Sequence, residues 1–166
     1  MKTAKQNKPQ LSKIQDLILA VKVCMLVTES PNKSLFARPM QTQQMDEDGC
    51  LWFFSNEQTD KDQEIKKDAQ VNISYADSNQ SNYVSVSGKA EVVHDKAKME
   101  ELWSPIMKAW YPQGLETPGI SLLKVEIKSA AYWDGSASTM VEVYKIAKAI
   151  VTGQQYEDGE HGKVQA

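Results

Sequence analysis

The sequence predicts an α+β protein in which helices flank an antiparallel β-barrel. Six segments have the length and composition of strands, and short turns or single helices separate consecutive ones. That spacing favours hairpins, because a parallel sheet would need regular alternation of strands and crossover helices. A glycine in the middle of the clearest strand, Gly88, predicts the bulge or bend that barrel closure requires.

Length and composition are those of one globular domain. The 166 residues are 41% hydrophobic and 25% charged, and we assign 1–166 to one domain with flexible tails at 1–8 and about 154–166. A net charge of −3 argues against nucleic-acid binding, which needs a basic surface. Residues 1–10 are polar and basic without a signal-peptide pattern, and no apolar run is long enough to cross a bilayer. We therefore expect a cytoplasmic protein with no membrane partner.

The chain begins with a predicted helix and a strand. Over residues 9–22, apolar residues recur at spacings of three and four, which indicates one buried helical face. Residues 23–28 are continuously apolar with β-branched residues near both ends, and this predicts a strand buried on both faces. Residues 29–33 contain a Ser-Pro-Asn turn signal.

A hairpin is predicted next. Residues 35–41 alternate as a strand, with Arg38 and Met40 on one face and Pro39 on the other. Because proline cannot donate a ladder hydrogen bond, Pro39 indicates an edge, a bulge or a gap that faces a ligand. Arg38 is then either solvated or paired with an anion. The polar stretch that follows includes Asp48-Gly49, a hairpin turn signal.

The stretch at residues 50–61 is the one around which the chain is organised. An aromatic run at 51–54 has strong strand preference and predicts a strand over 50–56, and a helix is predicted over about 60–68. From the end of this strand to the first turn of the helix, the polar groups are Ser55, Asn56, Thr59 and Lys61. A strand that ends in hydroxyls and a lysine, then enters a helix, can hold an anion such as a phosphate through these side chains and the free N–H groups of the first helical turn.

A plainer interpretation of the same stretch is a buried strand, a polar turn and a solvated helix. No glycine-rich phosphate loop is present, and Asp60 and Asp62 would repel an anion. Taken alone, the residues of this stretch favour the plainer interpretation.

The next predicted elements are two strands and a helix. Residues 71–76 and 83–93 alternate as strands, and residues 96–103 predict a helix that Pro105 allows to continue as a second turn to about residue 110. One helical stripe would then carry Trp103, Met107 and Trp110. Such a stripe is more often packing than a cofactor contact.

The last predicted elements follow a long irregular loop at residues 111–119, of the kind that often carries function. Residues 121–134 predict a long strand, and residues 141–150 predict a final helix with Ser138 or Thr139 as its N-cap.

Several kinds of site find no support in the sequence. His94 and His161 are the only histidines, and neither lies beside a cysteine or a second histidine, which argues against zinc. Cys24 and Cys50 lie in apolar runs, and we expect both to be free and buried. The carboxylates occupy contexts typical of solvated faces. We therefore nominate no catalytic residue and no metal ligand.

A binding site is the remaining possibility. Arg38 and Lys61 together would neutralise a phosphate, and the nearby hydroxyls would fill its other acceptors. A planar ring system could lie along the strands and contact their backbone amides. The residues thus suggest a phosphorylated aromatic ligand.

Seven blocks in a fixed order extend this interpretation. They are Ala37-Arg38-Pro39-Met40, Leu51-Trp52-Phe53-Phe54-Ser55 with Lys61 and Glu64-Ile65, Val71-Asn72-Ile73-Ser74-Tyr75-Ala76, Tyr83-Val84-Ser85-Val86-Ser87-Gly88, Leu102-Trp103-Ser104-Pro105 with Ala109-Trp110-Tyr111-Pro112-Gln113-Gly114, Leu122-Leu123-Lys124-Val125, and Ala131-Tyr132-Trp133-Asp134. Together, over about residues 11–153, they resemble the pyridoxamine 5′-phosphate oxidase-like family of FMN-binding split barrels, and within it the bacterial general stress protein 26 group.

The resemblance implies a six-stranded antiparallel split barrel of Greek-key type that forms a homodimer, with FMN in clefts between the subunits. By the same resemblance, the phosphate would be held by Arg38, Ser55, Thr59 and Lys61. The flavin ring would be lined by Pro39, Met40, Phe53 and Phe54, largely through their backbone, and approached by Trp110 and Trp133, whose expected source is the partner subunit.

The resemblance does not carry vitamin B6 oxidation over to this chain. The arginine and histidine pattern expected near the C-terminal end of true pyridoxamine phosphate oxidases has no counterpart here. We expect an FMN-dependent oxidoreductase with a small-molecule redox partner. The alternatives are a non-catalytic flavin carrier or sensor in stress response, or a barrel that holds FAD, a deazaflavin or haem. Haem is disfavoured because no histidine lies near the predicted cleft.

Overall fold

The structure is a computed structural model that describes residues 7–135 and 160–165. In chain order its elements are α1 (Asn7–Val21), β1 (Val23–Glu29), β2 (Leu35–Met45), β3 (Cys50–Asn56), α2 (Asp60–Lys67), β4 (Gln70–Asp77), β5 (Asn82–Val93), α3 (Lys96–Leu102), β6 (Ile120–Asp134) and β7 (Glu160–Gln165). Two short 3₁₀ helices, Pro105–Ala109 and Gly114–Glu116, lie between α3 and β6. No helix within the described ranges is long and apolar enough to span a membrane.

Six strands close a barrel, which confirms the predicted antiparallel architecture with flanking helices. Pairing runs from β1 through β2, β3, β6, β5 and β4 back to β1, and every pair is antiparallel. The predicted irregularity at Gly88 is also confirmed, because the register between β5 and β6 shifts between Ser87 and Gly88. A Cβ at Gly88 would lie 2.6 Å from the Glu126 carbonyl oxygen, so only glycine permits this close approach.

Strand β2 is longer than the sequence predicted, and its two halves have different partners. It continues to Met45 through residues that we expected to form a polar loop. The first half pairs with β1, whereas pairing with β3 begins only at Thr42, opposite Phe53. The end of β3, at Ser55 and Asn56, pairs with β6 instead. The barrel is therefore split between the first half of β2 and the end of β3, and Pro39 lies in that half.

Apolar side chains fill the barrel, and α1 packs against this core through Ile14, Leu17 and Ile18. A second cluster lies where β3 meets α3 and the first 3₁₀ helix. There, the ring of Phe54 contacts the ring of Trp103 edge-on, with centroids 5.6 Å apart. The two cysteines, Cys24 and Cys50, are free and buried, as predicted.

Strand β1 is exposed along one side, so the prediction that both of its faces are buried is wrong. Cys24 and Leu26 point into the core, whereas Val23 and Met25 are 54% and 41% exposed. A continuously apolar strand pattern indicates that both faces favour burial, but it does not indicate which surface covers each face. In this chain, one of those faces is left uncovered by the described residues.

Residues 160–165 form a strand, in contrast to the flexible tail predicted from about 154 to 166. Strand β7 pairs with the second half of β6, along the edge whose first half is taken by β3. Val164 is buried in the core, and Gly162 packs so closely on Tyr132 that a Cβ would lie 2.6 Å from the ring. One apolar residue and a free strand edge are enough to order this polar segment.

The N-terminal helix begins at Asn7, two residues inside the tail predicted at 1–8. The predicted helix at 141–150 and its N-cap candidates, Ser138 and Thr139, lie outside the described residues.

Candidate functional site

A cavity of about 430 Å³ lies where the barrel is split. This volume is within the range of roughly 300–1,000 Å³ that is usual for small-molecule sites. The first half of β2, the turn before it and the start of α2 form its walls. The lining residues are Ser30, Phe36, Arg38, Pro39, Met40, Thr59, Asp60, Lys61 and Glu64. Five residues nominated from the sequence are therefore brought together here: Arg38, Pro39, Met40, Thr59 and Lys61.

Lys61 lies in the first turn of α2 and points back toward the end of β3. Its Nζ donates to Ser55 Oγ at 2.5 Å, to Thr59 Oγ1 at 2.9 Å and to Asp62 Oδ1 at 2.8 Å. An ammonium has three N–H groups, so this conformation uses all of them. The ammonium and both predicted hydroxyls therefore form one cluster, in which Ser55 lies behind Lys61 and does not line the cavity.

The anion of this cluster is Asp62, which is fully buried. Its Oδ1 accepts from Ser55 Oγ at 2.7 Å and lies 3.3 Å from Thr59 Oγ1, in addition to its contact with Lys61. Ser121 Oγ of β6 reaches its other oxygen at 3.5 Å. Asp62 thus lies within hydrogen-bond distance of the ammonium and of both hydroxyls that the resemblance assigns to a phosphate on this side of the cavity.

Arg38 forms the other cationic wall. Its Nη2 donates to Glu64 Oε2 at 2.9 Å, and its guanidinium lies over the Phe36 ring at 4.9 Å from the centroid. The second terminal nitrogen, Nη1, is buried and has no hydrogen-bond partner among the described residues. A buried guanidinium N–H without an acceptor is costly, and an anionic ligand would satisfy it.

Glu64 is held from three directions. Thr28 Oγ1 donates to it at 2.6 Å and Ser30 Oγ at 2.7 Å, while Arg38 provides the ion pair. The Thr28 hydrogen bond is the main cause that lowers the pKa of Glu64 to about 2, with Ser30 and Arg38 adding to it against the effect of burial. Glu64 is therefore ionised at neutral pH and fixes the position of Arg38.

This arrangement predicts a specific loss of stability in acid. Because the pKa of Glu64 is lower in the folded protein than its ordinary value, ionised Glu64 stabilises the fold above the ordinary value and this contribution is lost as the pH falls toward 2. The free energy of unfolding, measured with urea, should therefore fall more steeply between about pH 5 and pH 2 in the unchanged chain than in Glu64→Gln. If the free energy of unfolding depends on pH in the same way in both proteins, ionised Glu64 does not stabilise the fold.

Sequence reasoning missed the roles of Asp62 and Glu64, which we expected to be solvated. Both carboxylates are buried and paired with the two cations that the sequence singled out. A signal was present for Glu64, since it lies three residues after Lys61 and one before the apolar Ile65, on one helical face. No comparable pattern in the sequence pointed to the burial of Asp62.

The aromatic residues of β3 lie away from the cavity. The side chain of Phe53 is in the barrel interior, and that of Phe54 belongs to the cluster with Trp103 and Tyr111. Neither side chain lines the cavity. Any contact of these two residues with a ligand would have to come from their backbone, as the sequence interpretation proposed.

The two nominated tryptophans are exposed and also do not line the cavity. Trp110, which follows the first 3₁₀ helix, is 61% exposed, so it does not share the packing of Trp103 and Met107 that a helical stripe predicted. Trp133 is 41% exposed and pairs with Tyr83 of β5 in the β5–β6 ladder. Within one chain, neither reaches the site.

Most of the chain matches one known protein family. A model of the family described as "Pyridoxamine 5′-phosphate oxidase like" matches residues 9–157. This chain belongs to that family. The match covers the barrel and every residue nominated for the site.

Two solved structures show the same fold, and one curated protein is similar in sequence. A putative general stress protein 26 from Jannaschia sp. CCS1 superposes with a TM-score of 0.74 at 24% identity, over 95% of this chain and 99% of that one. The general stress FMN/FAD binding protein from Xanthomonas citri superposes with a TM-score of 0.67 at 24% identity, over 81% and 93%. Protein bli-3 of Neurospora crassa is 28% identical over 159 residues, which are 88% of this chain and 76% of that protein.

The donor chemistry of the cavity fits the phosphate of a flavin nucleotide. Arg38 has a buried N–H with no acceptor among the described residues, and Lys61 and Thr59 also line the cavity. Pro39 and Met40 add apolar lining from β2. A phosphorylated ring system needs this combination of cationic donors and an apolar strand edge.

Proposed function

We propose that the protein binds FMN in the cavity at the barrel split and acts as a flavin-dependent oxidoreductase on a small molecule. The observation that carries this proposal is the buried Nη1 of Arg38, which has no partner among the described residues, in a residue that lines the cavity together with Lys61 and Thr59. The Xanthomonas citri relative, which is described as an FMN/FAD binding protein, supports a flavin as the ligand.

Each residue of the site has a binding role in this proposal. The phosphate is held by Arg38 and Lys61, with hydroxyl donors from Ser55 and Thr59. Pro39 and Met40 border the flavin ring and exclude water from one edge of it. Bound FMN supplies hydride or electron transfer, and the chain supplies binding, orientation and electrostatic tuning.

The proposal also includes a homodimer that buries the outer face of the sheet. Across β2, β1, β4, β5 and β6, two cross-strand rows on this face contain no charged residue, and the first of them continues to Lys163 of β7. The rows are Pro39, Met25, Ser74, Ser85 and Ala131, and Ala37, Val27, Asn72, Ser87 and Ser129. Beside them, Val23, Tyr83 and Trp133 are exposed. A surface with few charges and with exposed apolar and aromatic side chains is typical of protein–protein interfaces, and a two-fold pairing is the commonest assembly.

The outer face and the cavity are continuous, because Pro39 belongs to both. A second subunit on this face would therefore border the cavity. That placement provides a route by which Trp110 and Trp133 of a partner approach the flavin, which they do not do within one chain.

The decisive experiment is a visible absorption spectrum of the purified protein, with mass spectrometry of the small molecule released on denaturation. Flavin bands with the mass of FMN are expected. If the released molecule has the mass of FAD, the cofactor is FAD, which contains an FMN moiety. A colourless protein that takes up neither added flavin would contradict the proposal.

Catalysis is tested separately from binding. Anaerobic addition of NADH or NADPH should bleach the bound flavin, and an added acceptor should restore its colour over many turnovers. Flavin that binds tightly but is reduced by neither nicotinamide would favour the carrier or sensor alternative.

A further inference from the structure

Asp62 is an internal anion at the place where the proposed function requires a phosphate. It is fully buried, and Ser55, Thr59 and Lys61 all lie within hydrogen-bond distance of its Oδ1. These are the same donors that the resemblance assigns to the flavin phosphate, apart from Arg38. A carboxylate and a phosphate offer similar acceptor oxygens to such a set.

The N–H and O–H groups of the donors around Asp62 already have acceptors within the protein. All three N–H groups of Lys61 have acceptors, and the hydroxyl of Thr59 donates to the Asn56 carbonyl at 2.8 Å. The hydroxyl of Ser55 is committed to Asp62. A phosphate can therefore gain a bond from Lys61 or Ser55 only if one of them gives up a bond inside the protein.

The Arg38 side of the cavity has the opposite property. Glu64 occupies Nη2 only, and its own oxygens are anchored by Thr28 and Ser30 on the far side. Nη1 remains buried without a partner among the described residues. Glu64 thus positions a donor for the ligand, whereas Asp62 withdraws donors from it.

We infer that Asp62 is a built-in competitor for the flavin phosphate, and that it sets the strength with which this site holds a phosphorylated ligand. This inference rests on the proposed function. Binding begins at Arg38, and the phosphate then exchanges with Asp62 for Lys61 or Ser55. Because one anion replaces another, the net gain from this exchange is small, and the affinity for FMN is lower than two cations and two hydroxyls would otherwise provide.

The test compares Asp62→Asn with the unchanged chain, using FMN and riboflavin as probes in fluorescence titrations. Riboflavin has the same ring system and no phosphate. Asparagine keeps the shape of the side chain but loses the charge that binds Lys61. We expect Asp62→Asn to bind FMN at least about tenfold more tightly, with the affinity for riboflavin changed less than about twofold.

Asp16→Asn is the matched control. Asp16 carries the same charge on another helix, α1, where it is exposed and does not line the cavity. Its removal should change FMN affinity less than about threefold, since exposed charges are screened. An equal gain in both variants would show a general field effect and overturn the inference.

Two other results of the titrations would overturn the inference. Unchanged or weaker FMN binding by Asp62→Asn would show that Asp62 positions the donors, which also overturns the inference. If neither protein binds FMN or riboflavin, the proposed function itself fails, and the inference fails with it.

A measurement on the unchanged chain does not depend on whether Asp62→Asn folds. In a crystal structure of the FMN complex, Lys61 Nζ or Ser55 Oγ should have left Asp62 for a phosphate oxygen. A bound phosphate with both contacts to Asp62 intact would contradict the inference.

Discussion

Removing both cavity cations, in the variant Arg38→Gln with Lys61→Gln, is expected to weaken FMN binding at least about tenfold. The charge-assisted hydrogen bond from Arg38 to the phosphate, worth about 1.5–3 kcal/mol, is lost, and a tenfold change in affinity is about 1.4 kcal/mol. The bond from Lys61 adds less, because it replaces a bond to Asp62. Glutamine retains an amide donor toward Asp62 and Glu64, so the buried carboxylates are not left without any partner.

The effect should be specific for the phosphate. The affinity for riboflavin should fall far less than the affinity for FMN, as measured by fluorescence titration. Lys66→Gln with Lys67→Gln is the charge-matched control, because both lysines lie exposed in the same helix. Equal losses for FMN and riboflavin would show that the variant damages the ring site or the fold, and thermal unfolding without flavin separates those two cases.

Placing a carboxylate on the outer face, in Met25→Asp, is expected to convert the proposed dimer into a monomer at micromolar concentration. Met25 lies between Pro39 and Ser74 in a row of the sheet whose single cation among the described residues, Lys163, lies at its far end on β7. A two-fold interface would bury the new carboxylate twice with no cation beside it in the row, which costs several kcal/mol of association free energy. The fold itself should persist, because Met25 is exposed in the single chain.

Sedimentation velocity measures the assembly, and a parallel FMN titration measures the site. We expect the monomeric variant to lose affinity for FMN as well, since the partner borders the cavity in the proposed arrangement. Ala97→Asp, an exposed position on α3, is the control and should leave both properties unchanged. A variant that stays dimeric would place the interface elsewhere, and a monomer with unchanged FMN affinity would show that one subunit forms the whole site.

Sequence periodicity correctly predicted the bounds and the buried side of single strands and helices. The strand at 50–56 has the bounds that the aromatic run predicted, and the helix that follows differs by a single residue. Alternation over β5 placed Val84, Val86, Ala90 and Val92 on one side, and the first three are buried while Val92 is half-buried. These predictions succeed because strand and helix periodicity depends on near neighbours in the chain.

Pattern failed where a residue's environment comes from distant parts of the chain. The polar residues after Gln41 form the second half of β2 because β3 pairs with them, and residues 160–165 are ordered by the free edge of β6. The apolar run of β1 looked buried on both sides, yet its outer side is covered by none of the described residues. Sequence periodicity cannot identify which surface will cover a face.

The sequence by itself determined the antiparallel barrel, the family and the positions of the two cations, because these depend on strand pattern and on the order of short motifs. Only the tertiary structure showed that Asp62 and Glu64 are buried against those cations, since their partners come from β1, β2, β3 and β6. The charge of the site is therefore balanced by residues that no local pattern had assigned to it. Burial and pairing, which only the folded chain provides, decide whether a helical carboxylate is a solvated group or part of a binding site.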